Sequence, residues 1–192
     1  MKIKTINIIG KGNVAFHYHK VMKEKGYDVK MISSREVFTL DDVESDIVII
    51  SVKDDAMKEV LNKLPHVKSL LLHTSGFTNT DLLLQKADNV GCLYPLQSLN
   101  KKKDIDFSKV PLCLYVNNEA YKTSLEQFAQ SLSSQTCFMT DDQRQYLHIA
   151  AVFANNFTNH LLGISKEILD KHNIPFSLLY SIIDRTIENI KT

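Results

Sequence analysis

Short apolar runs alternate with segments of helical period along the first 139 residues. Residues 5–9 read as a strand, and residues 13–25 carry Val14, Phe16, Val21 and Met22 among polar positions, a helix that Gly26 ends. A second strand is expected over 27–33, then a short polar link or helix over 36–44. Residues 46–52 form a nearly continuous apolar run, as in a strand covered on both faces. A helix follows near 56–64, closed by Pro65, with Asp54 or Asp55 as its N-cap. Strands are then expected at 69–72, running into His73-Thr74-Ser75-Gly76, and at 89–94, where Pro95 ends the pairing. A short helix at 81–86, a strand at 110–116, a helix at 119–132 and a last strand at 136–139 complete the series. Such alternation predicts an α/β fold with a Rossmann-type, doubly wound, mainly parallel sheet.

From there the period is helical. Residues 141–171 read as one long helix with Asp141 or Asp142 as N-cap, followed by a break at His172-Asn173-Ile174-Pro175. The pattern thus divides the chain into an α/β domain, residues 1–139, and an all-helical domain, residues 140–192. At about 100° per residue, His148, Val152, Asn155 and Asn159 fall in one stripe of the long helix. Amides among apolar residues need polar company. The stripe is therefore expected to border water, ligand, neighbouring chain or a second subunit. Phe153 and Phe157 on the adjoining face read as core or dimer surface.

Composition narrows the function classes. With 192 residues and 44% hydrophobic content the chain can bury a core, and a net charge of +1 gives no global field for nucleic acid or acidic membrane. Three cysteines do not suggest a disulfide framework, and a reduced, cytoplasmic setting fits. No leader of the secretory type is recognisable, and no uncharged apolar run approaches the roughly 20 residues of a membrane helix.

The candidate chemistry begins at Gly10-Lys11-Gly12-Asn13-Val14-Ala15, between the first strand and the first helix. Gly10 permits a tight turn, Gly12 allows close approach of a pyrophosphate, and Ala15 lets helix pack on strand, which leaves the N–H groups at Gly12, Asn13 and Val14 for an anion. A tight turn without a ligand is the alternative. The second strand ends in Ser33-Ser34-Arg35 rather than an acid, since Asp28 lies at its start, and these residues favour the 2′-phosphate of NADP over NAD unless Arg35 is a solvated loop residue. Ser51 and Val52 end the third strand, where cofactor contact competes with a purely structural role. His73 is either an acid–base group or a structural hydrogen-bonding residue, and Ser75 either touches ligand or turns the chain. Lys101-Lys102-Lys103 reads as a solvated loop.

The glycine turn, His73-Thr74-Ser75-Gly76, Tyr94-Pro95-Leu96-Gln97 and the helical segment Gln143-Arg144…His148-Ile149-Ala150-Ala151-Val152-Phe153-Ala154-Asn155-Asn156-Phe157 together resemble a bacterial family described, by inference, as NADP oxidoreductases. Its members join a Rossmann-like domain to a helical domain of unknown function, and the resemblance covers essentially the whole chain. It implies kinship with pyrroline-5-carboxylate reductase and the β-hydroxyacid dehydrogenases. It also implies hydride transfer between NADP and a small carbonyl, hydroxyl or imine substrate, and a homodimer formed through the helical domain. Two departures stand out. Many β-hydroxyacid dehydrogenases use the lysine of Lys-x-x-Asn-Asn as acid–base group, and Val152 occupies that position here, ahead of Asn155 and Asn156. The proton then falls to His148 or His73, with Asn155 and Asn159 beside it, or the chain is a catalytically silent nucleotide sensor or scaffold. A purely interacting dimer module is a third reading. Family members also continue past the position of Thr192, which implies a shortened helical domain.

Overall fold

A computed structural model describes residues 3–190. Seven strands build one sheet: β1 (Thr5–Ile9), β2 (Asp28–Ile32), β3 (Ile47–Ile50), β4 (Leu70–His73), β5 (Val90–Pro95), β6 (Leu112–Val116) and β7 (Thr136–Phe138). They lie in the order β2-β1-β3-β4-β5-β6-β7, and every neighbouring pair is parallel except β5 with β6. The continuous apolar runs of β3 and β4 are buried along their whole length, as a parallel strand covered on both faces must be. Helices α1 (Asn13–Glu24) and α3 (Lys122–Leu132) pack on one face through Tyr18, Met22, Leu125 and Phe128. Helix α2 (Asp54–Lys63) packs on the other through Met57, Val60 and Leu61. Burying each such side chain stabilises the fold by about 1.5–3 kcal/mol. Gly26, at φ +84°, closes α1 in the left-handed conformation expected of a C′ glycine. The Rossmann-like fold expected from the sequence is the fold observed, followed by a helical C-terminal region.

Local details differ from expectation. Pro95 is the last paired residue of β5, opposite Leu112, because the missing N–H falls where the ladder ends. Asp54 and Asp55 lie inside the first turn of α2 rather than at its cap, Lys53. At the next helix, α4 (Asp141–Ala151), the cap is Thr140. Its hydroxyl accepts from Gln143 N–H at 3.2 Å while Gln143 Oε1 accepts from Thr140 N–H at 2.9 Å, a reciprocal capping box. Asp141, relieved of capping, is free to turn toward the loops of the sheet.

The expected single helix over 141–171 is interrupted. A π-helical turn, Val152–Phe157, separates α4 from α5 (Thr158–Asp170). A π turn takes more residues per revolution, so the constant 100° step used to draw the His148–Asn159 stripe does not carry through it. Asn173 at φ 56° marks the expected break, and α6 (Tyr180–Ile190) follows the short turn Phe176–Leu179. By internal contacts the chain forms two compact units, one ending at His148 and the other beginning at Ile149. The strands cease earlier, at Phe138, and the first turns of α4 stay with the sheet through side-chain bonds described below. In the second unit Phe153 and Phe157 stack at 4.8 Å yet remain exposed. Thr192, on which the expectation of a shortened helical domain rests, lies outside the described residues. Among the described residues no helix is long and apolar enough to cross a membrane.

Candidate active site

In an open parallel sheet a ligand crevice forms where successive strands leave in opposite directions, outside their carboxyl ends. Here that point lies between β1 and β3, because β1 is flanked by β2 on one side and β3 on the other. A cavity of about 700 Å³ opens there, lined by the glycine turn, Ser34, Arg35, Ser51, Val52 and α2. Gly10 is required by the protein itself. Its φ is +131°, and a Cβ would lie 2.0 Å from the Ser51 carbonyl oxygen, so the turn after β1 presses directly on the end of β3. Gly12 differs: its φ is ordinary, and a Cβ there would meet no protein atom within 4 Å. The space beside it suits a group brought from outside.

All the residues expected to touch cofactor line this cavity except Ser33 and Ser75. Ser33 Oγ accepts from Arg35 N–H at 3.3 Å, which shapes the turn that presents Arg35. Ser75 Oγ accepts from the N–H groups of Phe77 and Thr78, so both serines act on the chain rather than on the cavity. Lys11, Lys53, Thr74 and Lys101 also line it. The loop expected to be solvated at 101–103 is an exposed turn, and from it Lys101 also borders the cavity, its ammonium reaching the Lys11 carbonyl at 3.0 Å. Glu59 is the one acid on the lining, and it is already paired with Lys63. The cavity is cationic.

Behind β4 lies a closed polar chain. Ser75 N–H donates to His73 Nδ1 at 3.2 Å, which puts the ring proton on Nε2, facing Thr80 Oγ1 at 3.0 Å. Thr80 in turn donates to Asp141 Oδ1 at 2.7 Å, and Asp141 is held by its own neighbour Arg144, whose second nitrogen donates to the Thr78 carbonyl. His73 is fully buried. Burial first, then the Arg144 charge, brings its pKa from 6.5 to about 3. Burial works to raise Asp141, but the Thr80 N–H, the Thr80 hydroxyl and Arg144 outweigh it and hold the carboxyl below its usual range. With both ring nitrogens used and no access to water, His73 does not exchange protons at neutral pH. Of the two roles expected for His73, acid–base group or structural hydrogen-bonding residue, this geometry fits the second.

His148 occupies a different setting. Its Nδ1 lies 2.9 Å from the Tyr94 hydroxyl, the rings meet edge to face, and both residues are half-buried. Either atom can donate, according to the imidazole tautomer. Burial pushes the Tyr94 phenol up to about 12, so it keeps its proton at neutral pH. Gly76 makes room for the pair: a Cβ there would lie 2.5 Å from His148 Nδ1 and 2.8 Å from Tyr94 Cζ. Gly76 is two residues beyond Thr74, on the cavity wall, a reach of at most about 7 Å along the chain. Sequence reasoning passed over Tyr94 because its partner is 54 residues away. Gln145, one turn before His148, fixes the same loop through the Phe77 carbonyl at 3.0 Å.

In the second unit, Asn159 Nδ2 donates to Asn155 Oδ1 at 3.1 Å and Asn155 Nδ2 to Asn156 Oδ1 at 2.8 Å. The amides form a short exposed chain on the π turn and the start of α5.

Residues 110–192 match a family described as a domain of unknown function, DUF2520. A structure from Bacteroides fragilis described as a "putative NADP oxidoreductase" is 27% identical, with a TM-score of 0.85 over 98% of this chain and 81% of that one. An imine reductase from Myxococcus stipitatus, solved with NADP+, is 15% identical with a TM-score of 0.68 over 97% of this chain and 73% of its own. A reductive aminase from Aspergillus terreus, solved with NADPH and ethyl levulinate, is 11% identical with a TM-score of 0.73 over 100% and 74%. At those identities the last two share the fold. No curated protein matches the sequence. The resemblance drawn from the motifs stands: this chain is similar to the protein of that description and to related reductases, and its residues 110–192 match the domain of unknown function.

Proposed function

We propose that the protein is an NADP-dependent oxidoreductase acting on a small carbonyl, hydroxyl or imine substrate. The cationic cavity at the β1/β3 switch carries this reading. It combines a glycine turn at a helix N-terminus, open space at Gly12, and Ser34 and Arg35 at the end of β2. Gly10, Gly12, Asn13 and Val14 would hold the pyrophosphate through backbone N–H groups, and Ser34 and Arg35 the 2′-phosphate. NADP would supply hydride chemistry. The chain's own part is position and a proton. Tyr94 keeps a transferable proton, and His148 Nδ1 stands ready to restore it as the opposite ring nitrogen takes one from solvent. His73 holds the loop carrying Gly76 in place. Asn155 and Asn159 offer exposed amides to a substrate.

We further propose that residues 140–192 serve substrate binding and pairing with a second copy. Phe157, Leu161 and Ile164 recur at helical spacing into α5, Phe153 stacks on Phe157, and all four are exposed, which favours an apolar partner. The free thiols of Cys92, Cys113 and Cys137 fit a cytoplasmic setting. Fluorescence titration with NADPH and NADH tests the cofactor: saturable binding that favours NADPH is expected, and no binding at millimolar concentration sinks the reading. Light scattering tests the dimer, which a monomer at all concentrations would exclude. Val152 at the position of a dehydrogenase lysine favours the second reading, a nucleotide-binding sensor. Tight NADPH binding without oxidation across ketones, aldehydes and imines would select it.

A further inference from the structure

Residues 96–111 join β5 to β6 and pass over the start of α1. His17 Nε2 donates to the Asn100 carbonyl at 3.1 Å, Lys20 pairs with Asp104 at 2.6 Å, and buried Phe107 packs against Tyr18 with ring centroids 5.3 Å apart. Between these anchors Lys101 meets the glycine turn twice: its N–H donates to Asn13 Oδ1 at 3.3 Å and its ammonium to the Lys11 carbonyl at 3.0 Å. Asn13 Oδ1 is therefore occupied with the segment, which leaves the backbone N–H and the side-chain Nδ2 of Asn13 as donors for a ligand.

Lys101 is placed as no other lysine on the cavity is. Lys11 lies 3.9 Å from Glu36, whereas Lys53 and Lys101 have no carboxylate within ion-pair distance among the described residues, and of these two it is Lys101 that bonds to the glycine turn. Its ammonium has three N–H donors and spends one on a neutral carbonyl. A cation held at the mouth of a helix N-terminus, with its remaining donors unspent, is matched to an anion there. The other cation expected to bind phosphate, Arg35, follows β2 instead of the glycine turn.

We propose that Lys101 is a clamp on the pyrophosphate of the bound dinucleotide, delivered by the segment between β5 and β6, while Arg35 takes the 2′-phosphate. The proposal rests on the oxidoreductase reading above and divides the ligand's two anionic groups between two residues. The pyrophosphate is common to NADPH and NADH, and the 2′-phosphate is not. Loss of Lys101 therefore weakens both nucleotides, whereas loss of Arg35 weakens NADPH alone.

The experiment is a fluorescence titration of NADPH and NADH against the full chain and the variants Lys101→Gln, Lys101→Arg, Lys103→Gln and Arg35→Gln. Lys101→Gln should raise Kd about tenfold for both nucleotides, the scale of one charge-assisted hydrogen bond. Lys101→Arg should recover most of the affinity, and Lys103→Gln should match wild type. Unchanged thermal melting of Lys101→Gln will separate lost contact from lost fold. Wild-type affinity in Lys101→Gln overturns the clamp, and so does a loss confined to NADPH. A wild-type chain that binds neither nucleotide overturns the oxidoreductase reading itself, a result distinct from both.

Discussion

Two histidines, His73 and His148, make opposite use of the same side chain. His73 sits in a chain of donors and acceptors in which each bond direction is settled: Ser75 N–H to Nδ1, Nε2–H to Thr80, Thr80 to Asp141, and Arg144 onto both Asp141 and a carbonyl. His148 has one bond, to a phenol, in a half-buried position. The first arrangement resists any change of charge, and the second leaves one ring nitrogen without a bond among the described residues. Histidine near a crevice is therefore not by itself a proton carrier. What decides is whether a ring nitrogen and a path to solvent remain.

The comparison can be broken most severely at the closed chain. Asp141→Ala leaves the Arg144 charge buried without its partner and should cost about 3–5 kcal/mol, seen as a lowered urea midpoint. An Asp141→Ala protein as stable as wild type would mean that the chain is not what holds β4 to α4. At the open pair, Tyr94→Phe should preserve stability and NADPH affinity but slow ketone reduction about 100-fold. Reduction of a preformed iminium ion needs no proton and should be spared. Equal losses on both substrates would remove Tyr94 from proton transfer. Gly76→Ala forces a methyl into the pair and should destabilise by about 1–3 kcal/mol while altering the His148 ring signals in NMR.

The smallest step, per unit, is in pH. An unfolded histidine titrates near 6.5 and folded His73 near 3. As pH falls below about 6.5 the unfolded state gains a proton that the folded state refuses, so stability drops by up to about 1.4 kcal/mol per pH unit until about pH 3. Asp141 adds to the loss at the acid end, because its folded carboxyl is held below the unfolded value and its stabilisation vanishes on protonation. His73→Gln should flatten the slope over denaturation midpoints measured from pH 7 to 4. A slope unchanged in that variant would assign the effect elsewhere.

Much of the fold was legible because it is written locally. The apolar runs of β1, β3 and β4, the Gly10–Gly12 turn and the Gly26 stop each depend on neighbours a few residues away. The capping box at Thr140 was equally readable, since Thr-x-x-Gln is the signature, but the two aspartates beside it drew attention away. The π turn at Val152 left no such mark. Least legible was burial of charge: Asp141-Asp142-Gln143-Arg144 looks like a solvated first turn, yet Arg144 is 1% exposed because its partners come from the Thr78–Thr80 loop. Tyr94 and Lys101 became visible only once the sheet brought residues 148 and 11 beside them.

The reversed direction of β6 has a consequence for how this site can change over time. Had β6 run parallel to β5, the chain would have needed to cross to the opposite end of the sheet, usually as a helix, before entering it. Because β6 is antiparallel, residues 96–111 begin and finish at the edge where the cavity opens. Lengthening or shortening that segment leaves strand register untouched while moving Lys101 over the glycine turn. Nucleotide grip is in this way uncoupled from the architecture that supports it, and drift in one loop can retune the first without endangering the second.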